Sequence, residues 1–229
     1  MGFIIFLIVI VVLYVWYKRT HYKDTPWVKE RIKGRDKTQQ SVIRYFCNQE
    51  PCLSKRLLTD KEYEDLLVAE LNKHNFKQMA LNKIGLDEDQ VKEIEPVHFE
   101  GYVFDDTALQ KCGADKLWRS SKYQVSWIFF SDTQVYVYQY TFFMDEDGKN
   151  QRTEEYFYKD VTNFSTVSET EELPTYDPKK DKMVLENVHT NRFAITVPGD
   201  RFYCALNQND YTEAAIQGMK AKLREKKSV

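Results

Sequence analysis

Sixteen consecutive residues, Gly2 to Tyr17, carry no charge, and this run limits the chain more than any other feature. Its core is Phe3, Ile4, Ile5, Phe6, Leu7, Ile8, Val9, Ile10, Val11, Val12 and Leu13. Tyr14, Trp16 and Tyr17 follow where an aromatic belt would lie, and Lys18 and Arg19 come directly after. β-branched residues favour strands in water, but in lipid a single segment satisfies its backbone only as a helix. The run is at the short end of the roughly 17–25 residues a spanning helix needs. A cleaved signal is disfavoured because there is no basic leader and no small-x-small site. Residues 1–19 are therefore predicted to be a transmembrane anchor. Basic residues lie only after the run, which predicts a single-pass protein of the cell membrane with its N-terminus outside and its bulk cytoplasmic.

The net charge is -2 over 229 residues, but the charges are segregated. Lys18 to Leu58 carries a net +7, and Thr59 to Asp105 a net -7. Lys18, Arg19, Lys23, Lys29, Arg31, Lys33 and Arg35 are candidate contacts to anionic lipid, since each cation near an anionic surface gains on the order of 1 kcal/mol. The acidic stretch that follows argues against nucleic acid. Cys47, Cys52, Cys112 and Cys204 lack zinc spacing and read as free thiols of a reducing compartment.

Local signals divide the rest of the chain. Residues 20–58 read as a basic helical stem, with a helix from Pro26 to about Asn48 weakened at Gly34. Residues 59–95 read as a small helical unit opened by the Thr59–Glu62 capping box, with Gly85 closing a second stripe and Asp87 starting a third turn. From Val97 the apolar period becomes two. Strands are predicted at 97–104, 123–129, 135–144, 153–158 and 159–167, then at 183–186, 191–197 and 202–206. The polar segment Glu169 to Asp181, with Pro174 and Pro178, reads as a mobile loop. Asp145-Glu146-Asp147-Gly148-Lys149 reads as a solvated hairpin tip, since a calcium loop would need a later glycine and a distal Glu. Asn209 or Asp210 caps a final amphipathic helix.

About seven strands followed by one helix, together with Tyr156-Phe157-Tyr158-Lys159-Asp160-Val161-Thr162-Asn163-Phe164-Ser165, resembles the bacterial pleckstrin-homology-like (PH-like) domains, over about residues 97–227. That resemblance implies an α+β class: a PH-like antiparallel barrel or sandwich over 97–229, capped by the C-terminal helix. It also implies a ligand that is a phosphoinositide, a peptide or a protein surface. Lys111, Lys116, Arg119 and Lys122 are the candidate barrel contacts, though their spacing departs from the family's lipid-binding pattern.

No glycine-rich phosphate loop, H-E-x-x-H, C-x-x-C or G-x-S-x-G occurs, and the four histidines are far apart in sequence. No catalytic residue, cofactor or metal is expected. The sequence is read as a membrane-anchored, non-enzymatic binding or scaffold protein engaging a protein partner. Sensing of anionic lipid by stem and barrel is the second reading, and an enzyme with a site not visible in the sequence is the third.

Overall fold

In the computed structural model, which describes residues 2–20, 24–47, 57–91 and 94–227, helix α1 spans Gly2–Thr20. Its apolar side chains from Phe6 to Trp16 are exposed. Among the described residues no helix is long and apolar enough to cross a membrane. The shortfall is one of length. The charge-free part rises roughly 24 Å at ~1.5 Å per residue, against a hydrocarbon core of about 30 Å. Lys18, Arg19 and Thr20 make up the remainder of the helix. This overturns the transmembrane anchor assigned to Phe3–Tyr17, the membrane classification, and the N-outside, cytoplasm-facing single-pass topology.

The stem is two helices rather than one. Helix α2 (Pro26–Arg31) starts behind Thr25, whose Oγ1 accepts from the Val28 amide at 3.3 Å. Gly34 then takes a left-handed φ of +73°, which breaks the helical ladder, and α3 (Lys37–Cys47) begins anew. Helix α4 (Asp60–Leu71) carries the reciprocal Thr59–Glu62 capping box, and α5 (Phe76–Ile84) ends at left-handed Gly85. A single 3-10 turn, Glu88–Val91, follows.

Nine strands come next among the described residues: β1 (Val97–Tyr102), β2 (Gln110–Cys112), β3 (Trp118–Ser120), β4 (Lys122–Phe130), β5 (Gln134–Phe143), β6 (Lys149–Phe157), β7 (Asn163–Asp177), β8 (Lys182–Val197) and β9 (Asp200–Ala205). They form a four-stranded sheet in the order β1-β4-β5-β6, a three-stranded sheet β7-β8-β9 and a small ribbon β2-β3. Every pairing is antiparallel. Helix α6 (Asp210–Lys227) closes the chain, its first turn capped by Asn209 Oδ1, which accepts from the Thr212 amide at 3.0 Å.

The four-stranded sheet is the middle layer, and strand alternation explains why it is buried on both faces. On one face Tyr123, Val125, Phe129, Tyr136, Tyr138, Tyr140 and Phe142 form a core with Val42, Ile43, Tyr45, Phe46, Tyr63, Leu67 and Leu81 of the helices. On the other, Ile128, Phe130, Val135 and Val137 meet Phe164, Phe193, Ile195 and Phe202 of the three-stranded sheet and Ile216, Met219 and Leu223 of α6. The helical unit therefore packs directly on the sheet. Burial of each such large side chain contributes about 1.5–3 kcal/mol relative to exposure.

The class is α+β with antiparallel sheets and a C-terminal helix. Three details depart from expectation. Glu169–Asp181 is mostly strand rather than loop, since β7 pairs with β8 from Asn163↔Thr196 to Asp177↔Lys182. Pro174 is tolerated there because β7 is an edge strand. The separate strands expected at 183–186 and 191–197 are one continuous β8. Residues 156–165 straddle a junction: β6 ends at Phe157 in one sheet and β7 starts at Asn163 in the other.

Candidate functional site

Two of the seven candidate lipid contacts of the stem, Arg31 and Arg35, are engaged inside the molecule. Arg31 Nη2 donates to Asp145 Oδ2 at 3.2 Å, and Arg35 Nη2 to Glu146 Oε2 at 2.8 Å. Gln39 Nε2 donates to Asp147 Oδ1 at 2.6 Å. The Asp145–Asp147 turn thus clamps the stem. It is not a solvated tip, since Asp145 is only 1% exposed. Lys33 pairs with Glu30 at 2.5 Å, and Lys29 is exposed. The side chains of Lys18 and Arg19 are not among those described, and Lys23 and Cys52 lie outside the described residues.

The four candidate barrel cations do not converge into one basic site. Arg119 is 2% exposed and lies between acids: Nε donates to Glu64 Oε1 at 2.9 Å, Nη1 to Asp115 Oδ1 at 2.9 Å, and Nη2 to Asp115 Oδ2 at 2.7 Å. Those bonds, Arg119's first, hold the Asp115 carboxyl below the usual carboxylate range. Arg119 therefore fastens the β2-β3 ribbon to α4 and is not turned toward a ligand. Lys122 Nζ donates to Asp105 Oδ2 at 2.5 Å and lies over the Phe143 ring. Burial opposes ionisation of Asp105, but Lys122 and Thr107 outweigh it and hold that carboxyl low. Lys111 donates to the Tyr45 carbonyl at 3.2 Å and lies over the Tyr45 ring. Lys116 is exposed at the tip of the β2-β3 turn, with φ of 66°.

Two cavities adjoin where β1 leaves the four-stranded sheet. One of about 420 Å³ is lined by Tyr102, Phe104, Leu117, Trp118, Tyr123 and Leu206, with Glu64, Lys116, Arg119, His189, Asn191 and Asn207 at its margins. The second, about 360 Å³, is lined by Gln124, Glu171, Thr190, Arg192 and Tyr203, and shares Tyr102, Phe104 and Asn191 with the first. Together they make a groove between β1, the β2-β3 turn and the middle of β8.

Each wall has a local cause. Gly101 lets β1 pass under the link from β9 to α6; a Cβ there would lie 3.1 Å from the Leu206 nitrogen. The Asn207 amide then donates to the Glu100 carbonyl at 2.8 Å, and the Leu206 amide to the Asn191 carbonyl at 3.2 Å. Gln139 Nε2 donates to the Tyr203 carbonyl at 2.6 Å, and the Ala205 amide to Gln124 Oε1 at 2.8 Å, joining the two sheets at the groove's base. Tyr102 stacks toward Tyr63 at 6.4 Å and meets Tyr123 edge-on at 5.3 Å, so the aromatic floor continues into the helical core. Arg192 pairs with Glu171 and lies over Tyr203. His189 hydrogen-bonds Thr170 Oγ1 at 2.9 Å, and Asn191 Oδ1 accepts from Ser168 at 2.7 Å.

The groove combines apolar rings, a Leu117 side chain that is 61% exposed, and polar groups already paired with one another. Sequence reasoning found Lys116 and Arg119 of this set and missed the rest, which come from widely separated stretches. Alternation in β1 and β8 was the one local signal available.

A larger cavity of about 650 Å³ lies among Phe46, Thr59, Asp60, Lys111, Thr175 and Tyr176. Among the described residues no group of three or more His, Cys, Asp or Glu is placed to hold a metal ion.

No protein-family model, curated protein or solved structure matches this chain. The resemblance to PH-like domains therefore rests on element order and the Asp160-Val161-Thr162 step alone.

Proposed function

We propose that this chain is a protein-binding module that seats an extended segment of a partner in the groove between β1, the β2-β3 turn and β8. The reading is carried by one observation: two adjoining cavities share an aromatic floor, Tyr102 and Phe104, and a polar β8 wall at Asn191. Apolar rings flanked by already-paired polar groups suit one buried anchor side chain plus backbone hydrogen bonds. A highly charged headgroup would instead need converging, uncommitted cations. The engagement of Arg31, Arg35, Arg119 and Lys122 by acids weighs against the anionic-lipid reading.

Selection of displayed random peptides against the full chain tests this proposal. Enriched peptides should bind the wild type and bind Phe104→Ala and Leu117→Ser at least roughly tenfold more weakly, the loss expected for an anchor contact. Equal binding by both variants, or no enrichment, rejects the groove as the site.

A further inference from the structure

We infer that strand β6 is a self-pairing edge, through which two copies of this chain join their four-stranded sheets about a two-fold axis at Thr153. Among the described residues β6 pairs with β5 alone, and its residues are exposed or half-buried from Lys149 to Phe157. The Tyr158 amide donates to the Thr133 carbonyl at 3.1 Å, and the Phe143 amide to the Gly148 carbonyl at 3.0 Å. With the register Gln134↔Phe157 to Phe142↔Lys149, even-numbered β6 residues bond to β5. The backbone groups of Lys149, Gln151, Thr153, Glu155 and Phe157 therefore face outward, forming an open ladder of the kind that pairs with another strand.

The side chains choose the occupant and the register. About an axis at Thr153, all five outward residues meet outward residues, and Arg152 stands opposite Glu154 of the second copy, twice over by symmetry. Moving the axis one residue either way sets Arg152 against Arg152 or Glu154 against Glu154, which is repulsive. Arg152 and Glu154 already lie on one face, bonded within the strand at 2.8 Å, so the exchange requires no refolding. Charges on an edge usually block pairing. These four (Lys149, Arg152, Glu154 and Glu155) sum to zero, and the two-fold image sets Arg152 and Glu154 against opposite charge and places no like charges directly opposite.

The test is site-specific cross-linking of the full chain, together with charge exchange. In a hydrogen-bonded antiparallel pair the Cα atoms lie about 5.5 Å apart, within disulfide reach of about 4.4–6.8 Å. Thr153→Cys should therefore give an oxidised dimer above the wild-type background. Glu155→Cys, on the same exposed face but more than about 13 Å from its own copy, should not. In sedimentation velocity, Arg152→Glu and Glu154→Arg should each weaken association by roughly tenfold, and the double exchange should restore it. Equal cross-linking at 153 and 155, or a double exchange no better than the single changes, overturns the inference. Association driven by the exposed α1 would give those results, so it is not mistaken for pairing through β6.

Discussion

Arg31 and Asp145 meet at 3.2 Å across the boundary between stem and sheet, with the carboxylate 1% exposed and the guanidinium about one third exposed. This contact ties the basic stem to the turn between β5 and β6. Among the described residues Asp145 Oδ1 and Arg31 Nε have no hydrogen-bond partner, so the pair is the main compensation for a carboxylate taken out of water.

Removing the arginine should therefore cost more than removing the acid's charge. Arg31→Ala leaves a buried carboxylate uncompensated and should lose about 3 kcal/mol of stability. Asp145→Asn should lose less, and the double variant should recover part of the Arg31→Ala loss. Urea unfolding followed by circular dichroism measures this. Equal losses for the two single variants would show that the pair is not the compensating contact.

Asp105 gives a pH signature. Its folded carboxyl is held below the ordinary value, so its stabilisation is full above the unfolded pKa of about 3.9 and fades as pH falls through the lower folded value. Asp105→Asn should be less stable than wild type at pH 6, and the gap should narrow as pH falls below the unfolded value of about 3.9. A gap that persists unchanged at low pH would assign the effect to lost turn geometry. Asp105 Oδ1 also accepts from the Thr107 and Ala108 amides, which makes that control necessary.

Thiol reactivity should follow burial. Cys112 is exposed, whereas Cys47 and Cys204 are fully buried. Burial pushes the Cys204 thiol up to about 11 and raises Cys47 further, leaving little thiolate at neutral pH. Peptide-resolved alkylation of the native chain should label Cys112 within minutes and Cys47 and Cys204 only on unfolding. Rapid native labelling of Cys204 would mean that the three-stranded sheet opens readily.

Much of the architecture was legible locally. The Thr59–Glu62 box, the paired runs of β4 and β5 and the Asn209 cap depend on residues within a few positions of one another. Three features were not. The β7-β8 ribbon reads as loop because Glu169 to Asp181 is polar and holds Pro174 and Pro178; only its pairing and the anchoring of Tyr176 to Thr25 at 2.6 Å and to Trp27 reveal it. The clamp of Arg31, Arg35 and Gln39 on the 145–147 turn joins residues more than a hundred positions apart. The charge-free run of α1 carries the composition of a span without its length.

The groove is the extreme case of the same difficulty. Tyr102, Trp118, Asn191 and Leu206 share no spacing, and they meet because Gly101 lets β1 approach the Leu206 backbone. Gly101→Ala should narrow that approach and weaken peptide binding by several-fold. Thermal unfolding would separate this from a general loss of stability. A variant with the wild-type midpoint and weakened binding supports the geometric account, and one with unchanged binding removes Gly101 from it.

Hydrogen–deuterium exchange of the full chain, with and without a peptide selected against it, tests the central claim most directly. Binding in the groove predicts slowed exchange at 101–104, 116–119 and 189–192, with α2 and α3 unchanged. Protection confined to the stem, or to the walls of the larger cavity around Asp60 and Tyr176, would contradict it.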